Sequence, residues 1–267
     1  MKLYLGVEAN MKNYKSAIGN AIIMWIVGIC PIILPVIYYV ICYVIDKEEI
    51  FLDIGMTIAT FLGGLLVIFV MKKEYHVDIK EYLRKPDSKI LLLVIMVSIF
   101  YVITGMYTLN RELLTGEADL DVISLVGFVL ASSIVPIGEE LTFRFGMLTL
   151  LLIMAKNSRF KAVFSIVLIS ILWMIMHCST YVPRIFDIII VGIIIGFIYL
   201  KTKNIIYCFV FHIVANGITY IFGAFYPWFL EREYILYISL PLFLISAVAL
   251  IYRLGKIDGV KFVLNAE

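Results

Sequence analysis

Apolar residues in this chain do not alternate with polar ones at a strand period, nor mark one face of a soluble helix. They come in long runs, separated by short segments that hold most of the charge. Runs of 18 or more recur, and about 20 apolar residues at 1.5 Å rise cross a hydrocarbon core about 30 Å thick. Eight spans are expected, at about 17–45, 50–71, 89–109, 122–154, 161–182, 185–200, 204–224 and 234–253. The expected fold is an all-α polytopic membrane protein, with residues 1–267 forming one integral-membrane domain.

The loops supply an independent check, because lysine and arginine accumulate on the cytoplasmic side of a membrane. Seventeen of the 22 basic residues fall in segments of one parity under this count, and Lys47, Arg111, Arg184 and Arg232 in the other. That asymmetry predicts both termini in the cytoplasm. Residues Met1 to Lys15 are polar and precede an apolar run too long for a signal-peptide core, so this run is expected to stay as the first span.

Composition sharpens the class. The chain is 63% hydrophobic and 16% charged, against about 25% charged in soluble domains. A net charge of +2 gives no reason to expect nucleic acid as a partner, so the expected partners are membrane lipids and whatever the site acts on. Cys30, Cys42, Cys178 and Cys208 lie in apolar runs without CxxC spacing and read as small core residues. Abundant Ile, Lys, Asn, Tyr and Phe suggest AT-rich coding and a bacterial cell membrane.

One stretch breaks the apolar pattern: Val135-Pro136-Ile137-Gly138-Glu139-Glu140-Leu141-Thr142-Phe143-Arg144. A charge at mid-membrane costs roughly 2.5–3.5 kcal/mol on insertion scales, so three in six residues require a protein interior or a watered cavity. Pro136 removes the amide that would pair with the Ser132 carbonyl, and Gly138 leaves room for another backbone or a water. Glu140 and Arg144 are spaced i,i+4 with the acid first, the better order for a helical ion pair. Glu139 points about 100° away from that pair. Glu140 with Arg144 is the supporting pair, and Glu139 the candidate general base.

Two further spans carry polar groups at helical spacing. Trp173 and His177 stand i,i+4 in the fifth, where the indole can wall a site that the imidazole enters. His212 and Asn216 stand i,i+4 in the seventh, two side chains able to donate to one oxygen. The third histidine, His76, belongs to a loop. Counting residues from the inner span ends puts Glu139, His177, His212 and Asn216 within about 12 Å along the membrane normal. A shared cavity is expected. No serine or cysteine is spaced as a nucleophile: Ser132 and Ser133 are near, and Cys178 points away from His177.

The set Glu139-Glu140-x-x-x-Arg144, Trp173-x-x-x-His177 and His212-x-x-x-Asn216, in this order on successive apolar blocks, resembles the CPBP family of intramembrane proteases. That family includes type II CAAX prenyl endopeptidases and bacterial Abi and bacteriocin-immunity proteins. The resemblance covers about residues 122–220, the expected catalytic core, and departs from the family pattern at Trp173, where phenylalanine is usual. It implies peptide-bond hydrolysis in a membrane cavity: Glu139 and His177 position and deprotonate a water, and His212 and Asn216 stabilise the oxyanion.

Glu139, His177 and His212 also have the ligand types of a His2Glu catalytic zinc site. There is no HExxH, and a metal-free activated water uses the same residues, so a divalent metal such as zinc stays open as a cofactor. The expected substrate is a membrane-associated peptide or protein: a pheromone, a bacteriocin precursor or a related peptide. The alternative is a non-proteolytic interaction protein that confers bacteriocin immunity or modulates a sensor kinase. The sequence leaves the oligomeric state open.

Overall fold

The computed structural model describes residues 17–44, 52–108, 132–155, 158–177, 179–224, 232 and 234–257. No strand occurs among them. The helices are α1 (Ala17–Ile29), which passes through a 3-10 turn at Cys30–Ile32 into α2 (Ile33–Val44); α3 (Leu52–Tyr75); α4 (Ser88–Thr108); α5 (132–154); α6 (Arg159–Met176); α7 (Val182–Thr202); α8 (Ile205–Ala224); and α9 (Tyr234–Gly255). Among the described residues six stretches are long and apolar enough to cross a membrane: Gly19–Tyr38, Ile54–Tyr75, Ser88–Met106, Arg159–Met176, Val182–Thr202 and Tyr234–Gly255. They match the first, second, third, fifth, sixth and eighth expected spans. The seventh appears as a shorter apolar helix, Ile205–Ile221. The start of the fourth span and both termini lie outside the described residues.

Two boundaries differ from expectation. The fifth span stops at Met176, and a turn begins at His177, which puts this histidine at the end of its helix instead of inside it. The sixth begins three residues early, at Val182, because Pro183 suits a first helical turn whose amides have no partner in any case. Arg184, expected in a loop, is therefore helical.

Exposure follows the solvent that apolar runs demand. Ile22, Ile23 and Ile26 of α1 and Tyr237, Ile238, Ile245 and Val248 of α9 are exposed, while Asn20, Ser98, Asp187, Ser239 and Ser246 are buried. Polar side chains inside and apolar ones outside suit a hydrocarbon surround. Of the cysteines with described side chains, Cys208 is buried as expected, but Cys30, in the 3-10 turn, is exposed.

The described helices form two compact units. The first holds α1 to α3, a short 3-10 helix at Ile79–Tyr82, α5 and α6 up to Ile169; the second holds α4, α6 from Ser170 on, and α7 to α9.

In the first unit backbones meet at glycines. A Cβ on Gly63 would overlap the Gly28 carbonyl, and one on Gly138 would overlap the Thr60 carbonyl, so α3 lies directly against both α1 and α5. This is the close approach the sequence suggested for Gly138. Small residues allow such contacts, and membrane helices depend on them because lipid gives no hydrophobic drive to associate.

In the second unit α4 packs against α8 and α9. The Ser98 hydroxyl donates to the Phe211 carbonyl at 2.8 Å and the Thr104 hydroxyl to Ser239 at 3.3 Å. Gly192 of α7 faces Ser170 of α6 at a distance that leaves no room for a Cβ, so the two helices approach closely there. Asp87 caps α4: its carboxylate accepts from the amides of Lys89 and Ile90, both at 3.0 Å, and its own amide donates to the Tyr207 hydroxyl at 2.6 Å. The Ile90 amide bond in particular holds the Asp87 carboxyl below its ordinary pKa.

Two stability outcomes follow. Gly138→Ala should lower the thermal midpoint in detergent, with an overpacking cost of about 1–3 kcal/mol. Gly217→Ala, where a Cβ meets nothing within 4 Å, should hold or raise it. At the α4 cap, a carboxyl whose pKa is lowered by folding adds stability above its unfolded value near 3.8, and loses it as pH falls through the folded one. Asp87→Asn should therefore melt below the parent at pH 7, and the gap should close as the pH falls below 3.8 and through the lower folded pKa.

Candidate active site

The first unit presents the paired carboxylates on α5. This helix is α-helical over 132–140, widens into a π-helix at Leu141–Leu148 and returns to α at Thr149–Met154. The amide of Thr149 reaches back five residues to the Arg144 carbonyl, and its hydroxyl donates to the same oxygen at 3.1 Å. The wider turn starts directly after Glu140, four residues beyond Pro136 and two beyond Gly138. Single π turns inside α-helices often mark functional sites.

Within it, Arg144 Nη1 donates to Glu140 Oε1 at 3.1 Å, the side chains 1% and 0% exposed. The predicted supporting pair is present. Glu139, the next residue round the helix, is half-buried.

The second unit holds a cavity of about 50 Å³, room for a few waters at roughly 10–15 Å³ each. Trp173, His177, His212 and Asn216 all line it. The Trp173 indole is buried and meets both imidazoles edge to face: His177 at 4.9 Å and 85° between planes, His212 at 5.2 Å and 87°. Each such pair contributes about 0.5–1.5 kcal/mol beyond its area, so the indole fixes two rings at once.

His177 is locked further by its Nδ1, 2.9 Å from the Trp173 carbonyl oxygen. A carbonyl only accepts, so Nδ1 carries the proton and Nε2 of the neutral ring is left with its lone pair. That nitrogen can take a proton from water. His212 is buried and Asn216, one turn further along α8, half-buried. Both can donate to a developing oxyanion.

Three cavity residues escaped the sequence reading. The Tyr101 hydroxyl on α4 donates to Asp187 Oδ1 at 2.8 Å, and Arg184 Nη1 donates to Asp187 Oδ2, also at 2.8 Å. All three line the cavity. The signal was available: Asp187 is an acid inside an apolar run with a base three residues before it, another acid and base within one helical turn.

Residues 121–218 match the family model described as type II CAAX prenyl endopeptidase Rce1-like. This stretch is Rce1-like. It contains all seven residues of the three motifs, and it begins after α4. The matched model is that of a peptidase family, and the described residues include helices long and apolar enough to cross a membrane. No curated protein and no solved structure matches the chain.

Among the described residues no three His, Cys, Asp or Glu side chains are grouped to hold an ion, so no step below is routed through one.

The ion pair makes a specific demand on stability. Breaking a buried pair by removing one partner costs about 3–5 kcal/mol, whereas replacing both with apolar or neutral groups of similar volume is often neutral. Arg144→Met should sharply reduce the folded yield and melting midpoint of the protein, and adding Glu140→Gln should restore much of both.

Proposed function

We propose that the protein is an intramembrane endopeptidase, hydrolysing a peptide bond of a membrane-associated peptide or protein in a bacterial cell membrane. The observation that carries this reading is the Trp173-braced cavity, with a His177 nitrogen available as a base and His212 and Asn216 on a second helix as donors. These four residues lie within a stretch that matches a peptidase family.

Glu139 and His177 activate one water. As its oxygen attacks the scissile carbonyl carbon, a proton passes to Glu139 and the carbonyl oxygen becomes an oxyanion that accepts from His212 and Asn216. Collapse of this intermediate breaks the C–N bond, and the proton held by Glu139 goes to the leaving amine. Water is conserved in the balance: its hydroxyl enters the new carboxyl and its proton the new amine. A pheromone or bacteriocin precursor suits such a site, being short and membrane-associated.

The test is cleavage of a fluorescence-quenched membrane peptide by the purified protein in liposomes. Glu139→Gln should abolish turnover while leaving the protein monodisperse and its melting midpoint unchanged. Asn216→Ala should lower kcat by about 10²–10³ with little change in KM, as loss of one oxyanion donor does. Extensive dialysis against EDTA should leave turnover intact. A Glu139→Gln protein that still cleaves defeats the reading. One that stops cleaving yet keeps its cellular phenotype points to a role by contact alone.

A further inference from the structure

The mechanism uses one end of the cavity's chemistry and leaves Tyr101, Arg184 and Asp187 without a task. The geometry points to Arg184 as a specificity-determining residue that takes a carboxylate of the peptide substrate. This rests on the protease reading and adds the substrate feature that the site selects.

Arg184 is a cation on a cavity wall otherwise built of apolar and neutral polar groups, apart from Asp187 and the two imidazoles. An isolated guanidinium on a flexible stem would swing between solvent and protein. Here Asp187 grips one end through Nη1 at 2.8 Å, and Asp187 is itself held from α4 by the Tyr101 hydroxyl at 2.8 Å. Asp187 is buried, whereas the Arg184 side chain keeps 34% of its surface exposed.

The pair is therefore asymmetric. The carboxylate has both oxygens engaged and is sealed in. The guanidinium gives one of its five N–H donors to that carboxylate and faces the cavity with its planar fork already oriented. Such a fork matches a carboxylate in two parallel hydrogen bonds, and orienting it beforehand reduces the entropy lost on binding. In surroundings of low dielectric, a charge-assisted bond of this kind outweighs its counterpart in water.

Position completes the argument. Arg184 shares the cavity with His212 and Asn216, so a carboxylate fixed on it sets which peptide carbonyl reaches the oxyanion donors. Arg184 would then choose the cleavage site by measuring from a fixed negative charge. That charge can come from the C-terminus of a peptide or from an acidic side chain near the cut.

The probes are four fluorescein-labelled apolar decapeptides that differ only in charge: a free C-terminal acid, its C-terminal amide, and amidated versions carrying one Glu or the matching Gln. Binding is read by anisotropy on the full-length protein in nanodiscs, and cleavage by mass spectrometry of the same samples. At least one carboxylate peptide should bind about tenfold tighter than its neutral partner, the scale of one hydrogen bond to a charged group. The free acid winning assigns the C-terminus, and the Glu peptide winning assigns a side chain.

Arg184→Gln should erase that preference, and Arg184→Lys, which keeps the ion pair with Asp187, should retain part of it. Equal affinities for charged and neutral peptides, no binding by any of the four, or a preference that survives Arg184→Gln overturns the assignment. If the preference holds and no peptide is cleaved, the protease reading fails while the carboxylate site stands. Cleavage without charge preference gives the reverse result.

Discussion

A carboxylate and a guanidinium, both sealed from solvent and 3.1 Å apart, sit in a chain whose other helices are chosen for contact with hydrocarbon. Neither charge could be left there alone, since an uncompensated ion in such surroundings costs several kcal/mol. The Glu140–Arg144 pair therefore requires walls. In the first unit α3 supplies one, coming so close that Gly138 meets the Thr60 backbone and Gly64 lies against Gly138. Phe145 is sealed by the Tyr82 ring at 5.4 Å. The π turn belongs to the same arrangement, because it begins where the charges stand and moves the following residues round the axis. Glu139 occupies the one position of this helix that is polar, half-buried and adjacent to the pair.

The second unit meets the cost of polar groups differently. Its histidines are fixed by an aromatic brace instead of by charge, and its buried acid Asp187 is matched by a phenol and a guanidinium. The result is a small cavity in which ring orientation, tautomer and donor positions are set before any substrate arrives. Preorganisation of this kind is what stabilises a developing oxyanion, since no reorientation is needed during reaction. An indole at position 173, where the family pattern usually has phenylalanine, touches both imidazoles at once, so the departure falls on the residue that couples them.

Much of this was legible because intramembrane charge is rare enough to be informative. The Glu140–Arg144 pair, the tight approach at Gly138 and the gathering of Trp173, His177, His212 and Asn216 could all be read from i,i+4 spacing and the cost of burying polar groups. Span ends were less legible, because a helix in lipid stops without the polar caps that mark soluble helices. His177 accordingly falls at the end of α6, where Ser179, Thr180 and Pro183 follow, not inside a longer helix. Tyr101 was hidden for another reason: a tyrosine in an apolar run looks like packing until its partner is known, and that partner, Asp187, lies 86 residues away. Arg184 was misread by a boundary error of three residues, which moved a cavity cation into a loop.

The central claim is that water, and not an enzyme side chain, attacks the peptide bond. Single-turnover cleavage in H₂¹⁸O with hydroxylamine present, read by mass spectrometry of both peptide products and of the intact protein, tests this directly. The account predicts one heavy oxygen in the new carboxylate, no hydroxamate and no transient increase in protein mass. A hydroxamate product, or protein carrying an acyl fragment, would contradict it.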